Sequence, residues 1–476
     1  MKKDIAMTNE FSIWKKANIE HPTLNAEHRS PAIRCSMFGV QCSMFFICAI
    51  ILANSAAAET ILLKNAVVHT VSAETITSGS VLVQNGKIIQ VFDNKLPSRI
   101  PIPDGTKEIN LAGQHLYPGL IALDTALGLS EISGVRPTRD FSEVGDYTPD
   151  VQSWIAVNPD SELIPVARAN GITHIEPAPQ GGIVAGQSGL VALDGWTTEQ
   201  MVIKKPTGLH VYWPSMDLDT RPKDKFKDKT KWKSLEDQAK ERQTNLRSLE
   251  DFFGEARAYG KAVDSKKQQP EKVPAWEAML PFVRNQAPMM MVHADEIRQI
   301  KSALKWAETN GFKIILVGGR DSWLIAKEIA AQNVPVIYEH IYNQPARDVD
   351  RYDVNFRAPE ILRAAGVKLA LGMGADAFDA GLVKNLPYTV AQAVAFGLPE
   401  ADALKSITLI PAELTGTANQ LGSIESGKEA TLFASDGNIF DIRSKVKRVW
   451  IAGQEILLEN RHTRLYEKYR SRPKAE

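Results

Sequence analysis

Cysteine is nearly absent from this chain: there are three in 476 residues, at Cys35, Cys42 and Cys48, and none beyond. Everything after Cys48 therefore lacks a disulfide, a thiolate ligand for a metal and a cysteine nucleophile. An excess of one charge is missing as well, since 56 Lys+Arg face 56 Asp+Glu. No overall field draws the chain to nucleic acid or to an anionic membrane, so a small-molecule substrate or another protein is the expected partner. No phosphate-binding loop, serine nucleophile elbow or zinc-finger spacing occurs. Long apolar runs are also scarce, with one conspicuous exception, "MFGVQCSMFFICAIILA" from Met37 to Ala53.

That run follows Arg34 and leads into "NSAAAE". A basic residue, an apolar stretch and small residues in this order form a secretory leader, with cleavage expected after Ala58 and a periplasmic or secreted mature protein. The alternative is a membrane anchor, for which the run is short of the ~20 apolar residues a span needs. Once the leader is removed, no stable membrane insertion is expected.

From 59 to 116 the pattern is short strands and turns, with Asn85-Gly86 between "GSVLVQ" and "KIIQV". Asn-Gly between two β-rich runs marks a hairpin, because both central positions of that turn need positive φ. The style returns in "ATLFAS" and "VKRVWIAGQEILL" within 417–460. These two segments predict a small β-sandwich module built from both ends, followed by a tail over 461–476. Between them, 117–416 alternates strand and helix. "MMMVH" reads as a strand, and Ile297, Ile300, Leu304 and Ala307 lie at helical spacing before Asn310-Gly311. Strands starting near 289, 313, 334 and 367 have βαβ spacing. With units such as "LIPVARANGITHIE" in the first half, eight repeats predict an α/β fold of the (β/α)8 TIM-barrel class, a doubly wound sheet being the alternative. The charged stretch 217–274 reads as an insertion, either a solvated helix over a barrel loop or a lid.

At the entry to the barrel stands "HLYPGLI", and at the return into the β module "SITLIPAELTGTANQLGSIESGKEATLF", from Ser406 to Phe433. With a β module from both termini, these motifs resemble the amidohydrolase superfamily, and imidazolonepropionase-like members in particular. The resemblance covers nearly all of 59–460. It implies hydrolysis of C–N bonds, often in cyclic amides, at one or two divalent metals held by strand-end His and Asp.

Tested against that pattern, the ligand set is degenerate. The family's first strand ends in His-x-His; aligning "PGLI" puts Asp124 and Ala126 at those places. The fourth strand offers His210, "MMMVHADEI" puts His293 at the fifth-strand histidine, and the sixth has Gly318, Gly319 and Arg320 where a histidine is expected. The eighth-strand aspartate, which the family uses to handle the proton, is matched by Asp376, with Asp379 a second choice. The resemblance thus implies His293 and Asp376 as catalytic residues and His293, Asp376, Asp124 and His210 as ligands of one divalent ion, zinc or similar, with no metal as the other reading. Arg320 and Gln187 are candidate substrate contacts. Two functions follow: an amidohydrolase with a reduced metal centre, or a non-catalytic barrel that binds a ligand, self-associates or partners an intact amidohydrolase.

Overall fold

The computed structural model describes residues 60–96, 101–265, 270–286 and 288–473. The expected leader and its cleavage point lie outside them. No helix among the described residues is long and apolar enough to cross a membrane.

In chain order the strands are β1 (Thr60–Val68), β2 (Ile76–Gln84), β3 (Lys87–Asp93), β4 (Lys107–Asn110), β5 (His115–Pro118), β6 (Leu120–Thr125), β7 (Ile172–Pro177) and β8 (Val184–Ala192). They continue with β9 (Val202–Tyr212), β10 (Met290–Ala294), β11 (Ile314–Gly318), β12 (Val336–Tyr338), β13 (Leu369–Leu371), β14 (Leu432–Ser435), β15 (Val446–Ile451) and β16 (Gln454–Ile456).

Strands from the two ends form one eight-stranded sheet in the order β16-β15-β14-β5-β1-β2-β3, with β4 beside β1. The two ends meet where β14 pairs antiparallel with β5, Ala434 opposite Leu116. Asn85 and Gly86 turn the β2–β3 hairpin with φ of 52° and 74°, as the Asn-Gly signal predicts. Gly86 has a second reason to lack a side chain, because a Cβ there would lie 2.4 Å from the Ala452 carbonyl oxygen. Leu63, Val81, Ile88, Leu116, Leu432 and Trp450 form the core of this sheet.

The other eight strands, β6 to β13, pair in sequence order. A parallel bridge between Thr125 and Gly374 brings the last back to the first, making a nearly closed barrel rather than an open doubly wound sheet. The expectation of eight identical βα repeats needs one correction: β8 runs antiparallel to both β7 and β9. The physical reason is the link. Only 178–183 joins β7 to β8, enough for a hairpin but not for the dozen or more residues a parallel crossover requires. Gly181 and Gly182 make the turn with φ of 92° and 65°, and a Cβ on Gly182 would meet the Gly145 carbonyl oxygen at 2.5 Å.

Ile121, Leu123, Leu190, Met291, Ile315, Val317 and Ile337 fill the barrel interior. Outside, the helix Ile297–Asn310 opens with a capping box between Glu296 and Gln299 and closes on Gly311 at φ 68°. The charged insertion contributes a thirty-residue helix, Leu235–Asp264. Its Phe253 packs edge-on against Trp306 and against Phe312, so this helix joins the outer ring between β9 and β10. The residues before it, 213–234, leave from the C-terminal end of β9. They therefore belong to the face where the strand ends of such barrels carry functional groups.

Candidate metal centre

Period-two alternation turns Leu209 and Val211 of β9 to the outer core and sends His210 inward. The same rule places His293 on the interior side of β10, between Val292 and Ala294. Asp124, at the tip of β6, has φ 47°, left-handed backbone that is uncommon for a residue other than Gly. Its carboxylate reaches both rings: Asp124 Oδ1 lies 3.7 Å from His210 Nδ1 and 3.7 Å from His293 Nε2. The two imidazole nitrogens are 3.0 Å apart. Asp124 and His210 are buried, and His293 is 14% exposed by side chain. Among the described residues this is the group of three whose ligand atoms all lie within 4.8 Å of one another.

The triangle has a chemical meaning. Sides of 3.0, 3.7 and 3.7 Å leave a point equidistant from the three atoms at ~2.0 Å, the bond length of zinc to imidazole nitrogen or carboxylate oxygen. The protonation states agree. His293 is lowered to about 3 by burial, against an opposing pull from Asp295, and His210 is held well below the usual imidazole range by burial and by His293. Both rings are neutral at pH 7, with lone pairs to offer. Tyr212 stacks on His293 with centroids 4.0 Å apart and planes 13° from parallel, and its hydroxyl donates to the Pro179 carbonyl at 3.1 Å.

Two carboxylates that sequence reasoning missed complete the surroundings. Glu339, directly after β12, hydrogen-bonds to Asp124, while its Oε1 is sealed from solvent without a partner. Glu176, on β7, is wholly buried and accepts from Thr207 Oγ1 at 2.7 Å and Ser188 Oγ at 2.9 Å; its Oε2 has no partner, and neither has Asp124 Oδ1. Burial pushes Asp124 up to about 7, opposed by the Glu339 hydrogen bond and reinforced by the charges of Glu176, Asp295 and Asp379. Burial likewise raises Glu176 to about 7 and Glu339 well above the usual carboxyl range. Sealed acidic oxygens without partners, beside two neutral imidazoles, are the donor set a divalent cation satisfies. Gly372 and Gly374, in "LGMGAD", make room for this group: Cβ atoms there would meet Glu339 Oε1 at 2.9 Å and Asp379 Oδ2 at 3.1 Å.

The other expected residues fall elsewhere. Asp376 is exposed and its carboxylate accepts from the Phe378 amide at 3.1 Å. Asp379 is the aspartate of this loop that turns toward Gly374 and Glu339. Gln187 is engaged away from the group, its amide donating to the carbonyls of Pro149 at 2.9 Å and Ala278 at 3.3 Å. Arg320 stands at the end of β11, its Nε without a hydrogen bond and 3.8 Å from Asp321 Oδ1. The missing sixth-strand histidine has a structural counterpart: a Cβ on Gly318 would lie 2.4 Å from Asp295 Oδ1. The Asp295 carboxylate fills that space and binds His340 Nε2 at 2.6 Å.

The chain is similar in sequence and in fold to known proteins. Residues 286–456 match the sequence pattern of the amidohydrolase family. The chain is 22% identical over 418 residues to amidohydrolase tasK of Hapsidospora irregularis, covering 79% of this chain. It spans about two fifths (39%) of the length of that curated relative. The crystal structure of an amidohydrolase from Thermotoga maritima MSB8 is similar with a TM-score of 0.71 at 27% identity, over 83% of this chain and 99% of that one. A second crystal structure, of another amidohydrolase, has a TM-score of 0.50 at 16% identity over 84% and 99% of the two chains and shares the fold.

Proposed function

We propose that this chain is a member of the amidohydrolase superfamily and hydrolyses a C–N bond of a small linear or cyclic amide at a single divalent ion, zinc or similar, held by Asp124, His210 and His293. The observation that carries the reading is the triangle of three ligand atoms around a point ~2.0 Å from each. Asp124, His210 and His293 would hold such an ion, which would supply Lewis-acid polarisation of the amide carbonyl and a water acidified toward neutral pH.

The chain's own groups do the rest. Tyr212 holds the plane of His293 by stacking. Glu339, kept protonated by burial, bonds to and orients the Asp124 carboxylate, and Asp379, which faces Glu339 across Gly374, takes the proton of the attacking water and returns it to the leaving nitrogen. Oxygen adds to the acyl carbon, the C–N bond breaks, and a carboxylic acid and an amine leave. Asp379 fills this role better than Asp376, whose carboxylate is exposed and engaged by the Phe378 amide. In this reading the ligand set is a reduced form of the superfamily's, the C-terminal motif allies the chain with imidazolonepropionase-like members, and the pattern over 34–58 directs the mature protein to the periplasm or beyond.

The test is hydrolysis of a panel of N-acyl amino acids and lactams by protein supplied with Zn²⁺ or Mn²⁺. Wild type turns over at least one of them, and His293→Ala, folded by circular dichroism, loses about a thousandfold or more of the rate. Equal rates in both proteins overturn the assignment. The non-catalytic reading is favoured by one observation, the space at Gly318 closed off by Asp295. It predicts ligand binding that His293→Ala leaves intact, with no turnover in either protein.

A further inference from the structure

Two aspartates stand three residues apart after β13, and only one of them turns toward the ligand group. The segment alternates: Ala375 and Ala377 are buried, Asp376 and Phe378 are exposed, and Asp379 is half-buried, its Oδ2 3.1 Å from the place of a Cβ on Gly374. With such a period of two, a slip of one residue would send Asp376 inward and Asp379 out. Bonds inside the segment do not prevent the slip. The Asp379 amide donates to the Asp376 carbonyl at 2.9 Å and the Phe378 amide to the Asp376 carboxylate at 3.1 Å, and both would travel with it.

Holds from outside can fix the phase. The Thr125–Gly374 bridge ties the residue before Ala375 to β6. Beyond it, Gln180 Nε2 donates to the Ala375 carbonyl, and Ser130 Oγ donates to the Ala377 carbonyl at 3.4 Å. The two accepting carbonyls flank Asp376.

Gln180 acts from a pinned backbone. It lies in the turn between β7 and β8 and reaches past the end of β6, which stands between β7 and β13. Its own amide donates to the Phe141 carbonyl at 2.7 Å, the Ala178 amide to the Thr125 carbonyl at 3.0 Å, and the amides of Ile183 and Val184 to the Asp146 carbonyl at 2.7 and 2.9 Å. The neighbouring Pro179 carbonyl accepts from the hydroxyl of Tyr212, the ring stacked on His293. A donor carried on a turn tied at so many points imposes a position on the segment it meets.

We infer that Gln180 is a positioning residue: by holding the Ala375 carbonyl it sets the phase of the segment after β13, so that Asp379 and not Asp376 faces Glu339. The inference rests on the proposed hydrolase reading, in which Asp379 handles the proton. Ser130 supports the same phase from the other side of Asp376.

The experiment compares wild type, Gln180→Met, which keeps the length of the side chain and removes the donor, and Ser130→Ala, all as metal-supplied full protein. Hydrogen exchange read by mass spectrometry on the peptide 375–382 is measured beside kcat and KM for an amide that wild type turns over, with circular dichroism as the check on folding. Expected for Gln180→Met is exchange faster by about tenfold or more in that peptide, a kcat lower by about tenfold or more because the proton acceptor is misplaced, and a KM within about threefold of wild type. Ser130→Ala shifts exchange and kcat in the same directions by less, and it carries the test if Gln180→Met does not fold. Unchanged exchange overturns the inference, as does faster exchange with an unchanged kcat. A raised KM with kcat intact makes Gln180 a substrate contact and also overturns it. Faster exchange in the variants with no turnover by any protein, wild type included, supports the hold on the segment and overturns the hydrolase reading instead.

Discussion

Replacing Gly318 by Ala probes why the sixth strand ends without a histidine. Gly318 has φ 84°, and a Cβ there would lie 2.4 Å from Asp295 Oδ1 and 3.4 Å from His340 Nε2. Two costs add. A non-glycine residue in the left-handed region costs about 1–2 kcal/mol. Moving the Asp295 carboxylate aside breaks its 2.6 Å bond to His340, worth roughly 1.5–3 kcal/mol for a hydrogen bond to a charged group. Gly318→Ala should therefore destabilise the protein by about 3–5 kcal/mol. In an Asp295→Ala background the steric conflict is gone and only the backbone cost of about 1–2 kcal/mol remains, a coupling of roughly 2–3 kcal/mol in the double-mutant cycle. Urea unfolding of the four proteins at pH 7 reads both numbers. If Gly318→Ala costs under 1 kcal/mol, or equally much in both backgrounds, the claim that Asp295 occupies the vacated ligand position is wrong.

Acid should weaken the fold through buried imidazoles. His174 is wholly buried and lowered to about 3 by that burial. The unfolded chain therefore takes up its proton first as pH falls, and stability is complete above ~6.5, then lost progressively toward 3. By linkage this one group removes about 2 kcal/mol between pH 7 and pH 5, and His174→Gln should remove about that much of the pH dependence in chemical denaturation; an unchanged slope counts against it. Thr207→Val deprives the buried Glu176 carboxylate of its 2.7 Å donor, at an expected cost of about 1–3 kcal/mol. A thermal shift indistinguishable from zero would show that Glu176 is satisfied in some other way.

Much of the architecture was legible because periodicity speaks directly to it. β10, the helix Ile297–Asn310 and the stop at Gly311 follow from apolar spacing and a glycine needing positive φ. The antiparallel β8 was not legible, since its apolar pattern suits either direction and only the short 178–183 link decides. At the site, Asp124, His210 and His293 could be aligned to family positions, whereas Glu339 and Glu176 match no motif and owe their roles to neighbours distant in sequence. Asp376 and Asp379 stand three residues apart in one loop. Which of them turns inward depends on backbone geometry around Gly374 that composition does not reveal.

The central claim is that Asp124, His210 and His293 hold one divalent ion. Calorimetric titration of chelator-stripped protein with Zn²⁺ tests it most directly, alongside Asp124→Ala and Asp376→Ala. The account predicts one equivalent bound by wild type and by Asp376→Ala with similar affinity, and a loss of about a hundredfold or more in Asp124→Ala, since even changes outside the ligand shell cost 10–100-fold. No binding by wild type, or equal affinity in Asp124→Ala, would contradict it.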